Sequence, residues 1–356
     1  MATPVFTRRR MLREAAIGLG VLSCTTALGQ PFERADYVGV ETSLTDGLSR
    51  IFALGASGQV LARLPVGFRA HGLAESDTHL IVFPRRPGNK FAIIDKANFD
   101  IRATVTAPAS RHFFGHGAVT ADGAYLLTTE NDLDQITGVV GIYELATGQR
   151  LGEVPLPDAG PHEIIRHSSR DLFYVALGGL ETHPDYGRTP FNLSSFRSQI
   201  VQLDFTTLRP DALGHWAGSE GVSLRHLAMD QAGRLYVGGQ IYDRARADGG
   251  NLVWLVGESG VTALEVGDRL GGYVSSVAAS GSGAMLASKT TGDVLWLEGD
   301  RLLKSERVTG ASAVASTQRG AVYSGARLLR LGAQEQDALA GFEFDNHGLA
   351  VRGMGV

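Results

Sequence analysis

The sequence has almost none of the residues that support disulfide bonds or thiolate metal sites, and it has no long apolar run after its first residues. Its 356 residues include one cysteine, Cys24, so a domain that begins beyond it contains neither a disulfide nor a cysteine-ligated metal. No stretch from Gln30 to Val356 is long and apolar enough to cross a membrane as a helix. Charged residues are only 20% of the chain and the formal net charge is −4, which argues against a nucleic-acid partner.

The sequence motifs of the common enzyme classes are also missing. We find no Walker loop, dinucleotide fingerprint, nucleophile elbow or zinc-protease helix. A nucleotide cofactor is therefore not expected, and most named enzyme classes are excluded. Glycine, by contrast, is abundant at 46 residues, which suits many tight turns between short strands. The composition favours an all-β domain.

A repeated frame organises the chain, and Arg111–Asn131 shows it most clearly. A His-Gly pair is followed by alternating apolar positions, a polar turn at Asp122-Gly123 and a second strand-like segment. Self-similar units of short strands at such spacings are typical of a β-propeller. Seven copies predict seven blades, and the copies begin at His71, His116, His162, His226, Ser276, Ser312 and His347.

The two ends of the chain are predicted to complete one blade together. Tyr37–Thr42, Arg50–Gly55 and Val60–Val66 are three successive strand candidates without an inner strand of their own. Asp345–Val351 repeats the opening of the frame and supplies the missing strand, which removes the exposed edges of an open array. We predict that residues 30–356 form one all-β, seven-bladed propeller. Its blade frame resembles that of lactonase-like and quinoprotein-like propellers.

Residues 1–29 are predicted to be a twin-arginine signal peptide. Arginines at Thr7–Arg13 precede a short apolar run, Ala15–Leu22, and a small-residue cleavage site, Ala27–Gly29. The order of these parts predicts export of the folded protein to the periplasm. Two alternatives stay open: a basic arm followed by an ordinary helix, and a lipid anchor at Cys24, whose surroundings match a lipoprotein cleavage box poorly.

One interval between copies of the frame, from His162 to His226, is longer than the others. It contains Leu180–Arg197, a polar and aromatic segment without strand alternation. Loops inserted into a rigid scaffold often carry binding groups. The alternative is a surface flap that only packs on its blade.

Five of the seven copies open with histidine. The first strand of each propeller blade lines the central channel, so equivalent positions should face one space near a channel mouth. Imidazole is the commonest protein metal ligand, and a cysteine-free set of histidines suits copper, iron or zinc. For each histidine alone, the alternative is an imidazole that caps a backbone carbonyl. The candidate ligands are His71, His116, His162, His226 and His347.

Further residues near the blade openings are candidates for the same site. Arginines and carboxylates there could bind an anion beside a metal, and a histidine of the inserted loop could close over the channel mouth. Each of the charged residues alone fits an ordinary salt bridge equally well. These additional candidates are Arg111, His112, Glu130, Glu163, His183 and Arg225.

Four segments of the chain resemble a bacterial protein family. RHFFGHGAVTADGAYLLTTENDLD, GPHEI, GGLETHPDYGRTPFNL and RHLAMD are similar to the domain of unknown function 1513, and Glu181–Arg188 is the most distinctive part. The resemblance extends over essentially the whole mature chain and implies a periplasmic seven-bladed propeller. Family members often stand beside imelysin-like and di-haem oxidoreductase-like proteins, which implies iron or metal handling with a periplasmic metal-handling or redox partner.

Three functions from different classes follow. The first is periplasmic binding or transfer of a metal ion, iron or copper, through the histidines. The second is a metal-dependent enzyme, an oxidoreductase or a lactonase-like hydrolase; the hydrolase is disfavoured because the predicted ring is histidine-rich and not acidic. The third is a rigid protein-interaction scaffold, in which Tyr186, Phe191 and Phe196 of the inserted loop contact the partner.

Overall fold

The protein is built from short antiparallel strands arranged as seven four-stranded sheets. The computed structural model describes residues 34–247, 251–318, 320–331, 334–337 and 341–355. The predicted signal peptide, residues 1–29, and Cys24 lie outside these residues. Within the described part of the chain, no helix is long and apolar enough to span a membrane.

The described chain begins with three strands, and three complete four-stranded sheets follow them. Their inner and middle strands are short and rich in β-branched or aromatic residues, which is typical of strands that are buried on both faces. The strands are β1 (Arg34–Ser43), β2 (Ser49–Gly55), β3 (Val60–Pro65), β4 (Ala70–Glu75), β5 (His79–Pro84), β6 (Lys90–Asp95), β7 (Asp100–Thr106), β8 (Arg111–Val119), β9 (Tyr125–Asp132), β10 (Thr137–Glu144), β11 (Arg150–Pro155), β12 (Pro161–Arg166), β13 (Leu172–Leu177), β14 (Gln199–Asp204) and β15 (Arg209–Ala212).

Three further sheets follow in the same pattern, and one long strand ends the chain. Each sheet is ordered as in the sequence, from a first, inner strand to a fourth, outer strand. The strands are β16 (Val222–Met229), β17 (Leu235–Ile241), β18 (Val253–Gly257), β19 (Gly260–Ala263), β20 (Ser276–Ser280), β21 (Gly283–Ala287), β22 (Asp293–Glu298), β23 (Arg301–Arg307), β24 (Ala313–Thr317), β25 (Gly320–Ser324), β26 (Leu328–Leu331), β27 (Gln334–Asp337) and β28 (Phe342–Gly355).

The seven sheets form a closed ring around a channel. The inner strands touch one another in a circle, in the order β28, β4, β8, β12, β16, β20, β24 and back to β28. The remaining sheet, the first blade in chain order, has the strand order β28-β1-β2-β3, so the C-terminal strand is the inner strand of the N-terminal blade. Both the seven-bladed propeller and the blade shared by the two ends are therefore confirmed.

Hydrophobic side chains fill the spaces between neighbouring blades. Phe91 of the second blade meets Phe113 and Tyr143 of the third, each with ring centroids 5.2 Å apart. Tyr37 and Phe52 of the shared blade belong to one buried cluster with residues of the seventh. Because each sheet buries both faces in this way, the packing fixes how close every inner strand lies to the axis.

The segment Leu180–Arg197, between β13 and β14, contains no strand, as predicted. Its only regular element among the described residues is a single 3-10 turn, Pro184–Tyr186, and a second such turn lies at Gly267–Leu270. The Asn192 side chain pins the base of the loop, since its amide donates to the Gly179 carbonyl at 2.8 Å and its carbonyl accepts the Glu181 amide. The loop therefore has a definite position at one end of the channel.

Candidate metal centre

The five histidines of the repeat lie together at the centre of the ring. They follow one another in blade order, and neighbouring imidazole centroids are 5.2, 4.9, 5.0, 5.2 and 4.3 Å apart around the circle. The last two separations link His226 to His347 and His347 to His71. Blades six and seven contribute the small residues Ser276 and Ser312 instead, so no large side chain separates His226 from His347. We call the five imidazoles the histidine cluster.

Local irregularities in the inner strands accompany all five histidines. The pairing of the first and second strands shifts by one or more residues at or beside His71, His116, His162, His226 and His347. In blades six and seven, which carry serine, the pairing of β20 with β21 and of β24 with β25 is regular. A β-bulge redirects a side chain, so these bulges turn the imidazoles toward the axis.

Glycine next to histidine permits the close approach of the inner strands. A Cβ atom on Gly72 would collide with the Gly115 carbonyl oxygen and would lie 2.9 Å from Nδ1 of His116. A Cβ on Gly115, which has φ +111°, would lie 2.8 Å from the ring of His71. Gly72 and Gly115, each next to a cluster histidine in sequence, therefore allow the imidazoles of adjacent blades to pack closely.

Two carboxylates, one buried and one partly buried, orient members of the histidine cluster. Nδ1 of His71 lies 3.1 Å from Asp345, and Nδ1 of His226 lies 3.2 Å from Glu163, which also accepts the Leu227 amide. The other oxygen of Glu163 is 3.7 Å from Nδ1 of His116. Because a carboxylate accepts, Nδ1 carries the hydrogen in His71 and His226, and Nε2 keeps its lone pair. Histidines that bind metals are commonly held in this way.

The free ring nitrogens face one another without protein partners. Within the described residues, Nε2 of His116, His162, His226 and His347 is buried and has no hydrogen-bond partner. An unsatisfied buried polar group costs about 1–3 kcal/mol, so four together require an explanation. Two groups of three place their potential ligand atoms within 4.8 Å of one another: His71, His116, His162, and His116, His226, His347. This geometry can hold a metal ion, and His116 belongs to both groups.

Burial keeps the cluster uncharged. Desolvation, reinforced by neighbouring histidine and arginine charges, holds the pKa of His71, His116, His162 and His226 well below the ordinary value. Burial also lowers the pKa of His347 to about 4, and raises the pKa of Glu163 to about 7. Neutral imidazoles are the form that binds metals, so the fold presents ligands that need not lose a proton at neutral pH.

The metal-free protein should lose stability steeply below pH 6.5. The pKa of each cluster histidine is lower in the folded than in the unfolded chain, so the unfolded chain binds more protons. Stability is then complete above pH 6.5 and falls by about 1.4 kcal/mol per pH unit for each histidine, down to its folded pKa. The raised pKa of Glu163 has the opposite effect on stability, between the pKa of an unfolded glutamate and about pH 7. This is one group, whereas five histidines act in the first direction.

Urea unfolding of chelator-treated protein at pH 7.5, 6.5 and 5.5 measures this slope. His162→Gln should make it shallower, because one buried titrating group is lost. His183→Gln, at an exposed histidine of the inserted loop, is the matched control and should leave it unchanged. A stability that stays flat from pH 7.5 to 5.5 would contradict a cluster buried in the neutral form.

The channel is open on both sides of the histidine cluster. His116, His347 and Glu163 line a cavity of about 460 Å³ toward the ends of the inner strands. His71 and His162 line a second cavity, of about 310 Å³, at the mouth where the inner strands begin. Arg225 is part of this second cavity, and its guanidinium lies 3.5 Å from Nδ1 of His162. Of the six additional candidates, the structure brings Glu163 and Arg225 to the cluster.

Arg111 and Glu130 do not reach the cluster. Arg111 forms salt bridges with Asp132 at 2.9 Å and Glu153 at 2.8 Å. Glu130 is completely buried and lies 3.0 Å from Arg150. Both belong to an ion-pair network within the third blade. They therefore form ordinary salt bridges, which was the alternative to a role at the histidine site.

His112, on strand β8, and His183, on the inserted loop, lie outside the histidine cluster. His112 lines a small crevice with Thr182 and Pro184, and its Nδ1 is buried without a partner in the described chain. His183 precedes the 3-10 turn and accepts the Asp185 amide through Nδ1. The expected closure over the channel mouth by His183 is therefore not what the structure shows, because its ring is used to start the turn.

Four residues at the site were not singled out from the sequence. Asp345 orients His71, while Arg85, Arg86 and Arg188 line the cavity with Arg225. Arg188 comes from the inserted loop, whose polar character was the only sequence signal for it. The pair Arg85-Arg86 directly follows β5. The sequence of a strand does not show at which mouth of the channel the strand ends.

The fold and site define a seven-bladed propeller with a buried histidine cluster in its channel. The chain belongs to the family described as "Protein of unknown function (DUF1513)", which matches residues 64–351. No curated protein matches its sequence significantly.

Solved structures with the same architecture are distant in sequence. A hydrazine synthase chain of Kuenenia stuttgartiensis is 13% identical, with a TM-score of 0.60 over 86% of this chain and 96% of that one. A streptogramin B lyase is 14% identical, with a TM-score of 0.58 over 83% of this chain and 92% of that one. At such identities the likeness shows the fold alone.

Proposed function

We propose that the protein is a periplasmic metal-binding propeller that holds an iron or copper ion in its histidine cluster. The observation that carries the proposal is the convergence of five imidazoles from five blades, four of them with a buried Nε2 that has no partner in the described chain. Imidazole ligands without cysteine suit both metals. The arginine pattern near the N-terminus supports periplasmic export, and a role in metal handling with a periplasmic partner follows from binding.

Elemental analysis of protein isolated from the periplasm tests the proposal. We expect about one or more copper or iron ions per protein chain. Chelator-treated protein should take up Cu²⁺, Fe²⁺ or Zn²⁺ saturably at pH 7. Protein with all five cluster histidines replaced by glutamine should take up none of these ions at the same sites. A native protein that carries no metal and binds none on titration would rule the proposal out.

A metal-dependent enzyme is the alternative that the cavities favour. Each cavity touches the histidine cluster, so a substrate would have access from either side. Both carboxylates near the centre contact histidines through Nδ1, and the donor set is therefore imidazole-rich, which favours an oxidoreductase over a lactonase-like hydrolase. Turnover of a redox dye by metal-loaded protein, lost with the metal, would support this alternative.

The scaffold alternative rests on exposed aromatic residues of the inserted loop. Tyr186 and Phe191 are 64% and 54% exposed, and their rings pack against each other at 5.3 Å. Phe196, the third aromatic residue singled out there, is buried and lies under Arg246. A Tyr186→Ser, Phe191→Ser variant that keeps its metal but loses a purified periplasmic partner would favour docking through this loop.

A further inference from the structure

The cavity at the mouth where the inner strands begin is unusually basic. Its four arginines come from the β5–β6 connection, the inserted loop and the inner strand β16. Two tyrosines lie between them, one directly after β17 and one in the connection from β19 to β20. No aspartate or glutamate of the described chain lines it. The residues that matter are Arg85, Arg86, Arg188, Arg225, Tyr242 and Tyr273.

Most of this positive charge has no carboxylate partner. Arg85 lies 3.6 Å from Asp345, whereas Arg86, Arg188 and Arg225 form no salt bridge among the described residues. Arg86 and Arg225 are only 9% and 8% exposed, and Nε of Arg225 is buried without a hydrogen-bond partner there. A buried guanidinium without a carboxylate partner is costly, so the arrangement favours a bound anion.

The positive charge of the cavity shifts the pKa values of the groups that line it. Burial, together with the nearby Arg225, lowers the pKa of Arg86 to about 9. Tyr242 accepts a hydrogen bond from Arg225 at 3.3 Å; burial raises its pKa, but the charges of Arg225, Arg86 and Arg188 outweigh that effect and lower it. A phenol whose pKa falls despite burial reports a strongly positive potential in the cavity.

We propose that this cavity binds a small multivalent oxyanion, a compound with several carboxylate or phosphate oxygens, next to His71 and His162. Guanidinium groups bind such oxygens in pairs, and arginines on different walls can engage different ends of one molecule. A volume of about 310 Å³ limits the ligand to a small molecule. Arg188 extends from the loop and is exposed, so it can adjust to the ligand after it enters. The binding needs no metal ion.

Isothermal titration of chelator-treated protein with citrate and with inorganic phosphate, at constant ionic strength, tests the proposal. We expect saturable binding of at least one of them at one site per chain, and no comparable binding of acetate. Arg188→Gln should weaken it about tenfold, since a charge-assisted contact is lost from an exposed residue that the fold does not need. Arg301→Gln is the control for charge, because this arginine is exposed and lies on the outer strand β23.

The outcomes of the titration distinguish a carboxylate ligand from a phosphate ligand. Binding of citrate alone identifies a polycarboxylate ligand, and binding of phosphate alone identifies a phosphate ligand. Absence of saturable binding, equal weakening by Arg188→Gln and Arg301→Gln, or binding only after metal is added would overturn the proposal. Because the titration uses metal-free protein, a protein that binds the anion but no metal would leave this inference standing and remove only the proposed metal function.

Discussion

Deletion of residues 345–356 should leave a chain without a cooperative unfolding transition and with a strong tendency to aggregate. The deletion removes most of β28, whose pairing with β1 extends from Ser43–Phe342 to Arg34–Gly355. Both the inner edge of β1 and the facing side of β24 would be exposed. Unpaired edges pair with other chains, and an open ring loses the packing that joins the first and last blades. Thermal unfolding followed by circular dichroism and light scattering measures both effects.

Two proteins that keep β28 separate loss of the strand from loss of its side chains. Asp345→Ala with His347→Ala removes two of the polar side chains of the deleted segment but keeps β28, and it should still unfold cooperatively. A circular permutant that starts at residue 342 and joins Gly355 to Arg34 by a two-residue turn should also fold, because those two residues are already paired. A truncated chain that melts like the full-length protein would show that closure does not hold the ring together.

The repeat in the sequence was sufficient to predict the fold. Short strands with alternating apolar positions recur with the same opening, and each must bury both faces between neighbours. The strands from Tyr37 lacked an inner partner, and Asp345–Val351 repeats the opening of the frame, so closure of the ring supplies the missing strand. The pairing of β28 with β1 follows from this requirement.

The convergence of the five histidines was predicted from their equivalent positions, but the device that aims them was not. Alternation along a regular strand would have sent neighbouring residues to opposite faces. The bulges at His71 and His162, for example, insert a residue into the first strand and change that alternation. A bulge depends on pairing with the next strand and on glycine contacts across blades, as at Gly72, and a single strand's sequence does not contain this information.

Charged residues were the least predictable part of the site. Arg225 and Glu163 lie beside cluster histidines in sequence and also in space. Arg111 lies on the inner strand β8 and Glu130 on the second strand β9 of the third blade, yet Glu153 and Arg150, on the outer strand β11 of the same blade, pair with them. Whether a charge faces the channel or its own sheet is decided by such partners, which are distant in sequence. The arginines of the anion cavity meet from separate connections for the same reason.

Replacement of His116 by alanine should lower metal affinity by more than about a hundredfold. His116 is the one imidazole shared by both groups of potential ligands, so its loss breaks each of them. Loss of an outer-shell partner alone commonly costs about 10–100-fold, and loss of a ligand should exceed that. His71→Ala and His226→Ala each remove a member of one group only, and they should retain more affinity than His116→Ala. Titration of chelator-treated proteins with Cu²⁺ or Fe²⁺ measures the order.

His112→Ala is the matched control, since His112 lies on the same strand, β8, but outside the channel. The metal-free His116→Ala protein should unfold at nearly the same urea concentration as the wild type, because Nε2 of His116 has no protein partner to lose. Independent caps would behave differently: each alanine would cost about 1 kcal/mol of stability, and the costs would add across blades without changing metal uptake. A cluster that binds one ion as a unit instead loses most of its affinity when His116 is replaced, and a second substitution then removes little more.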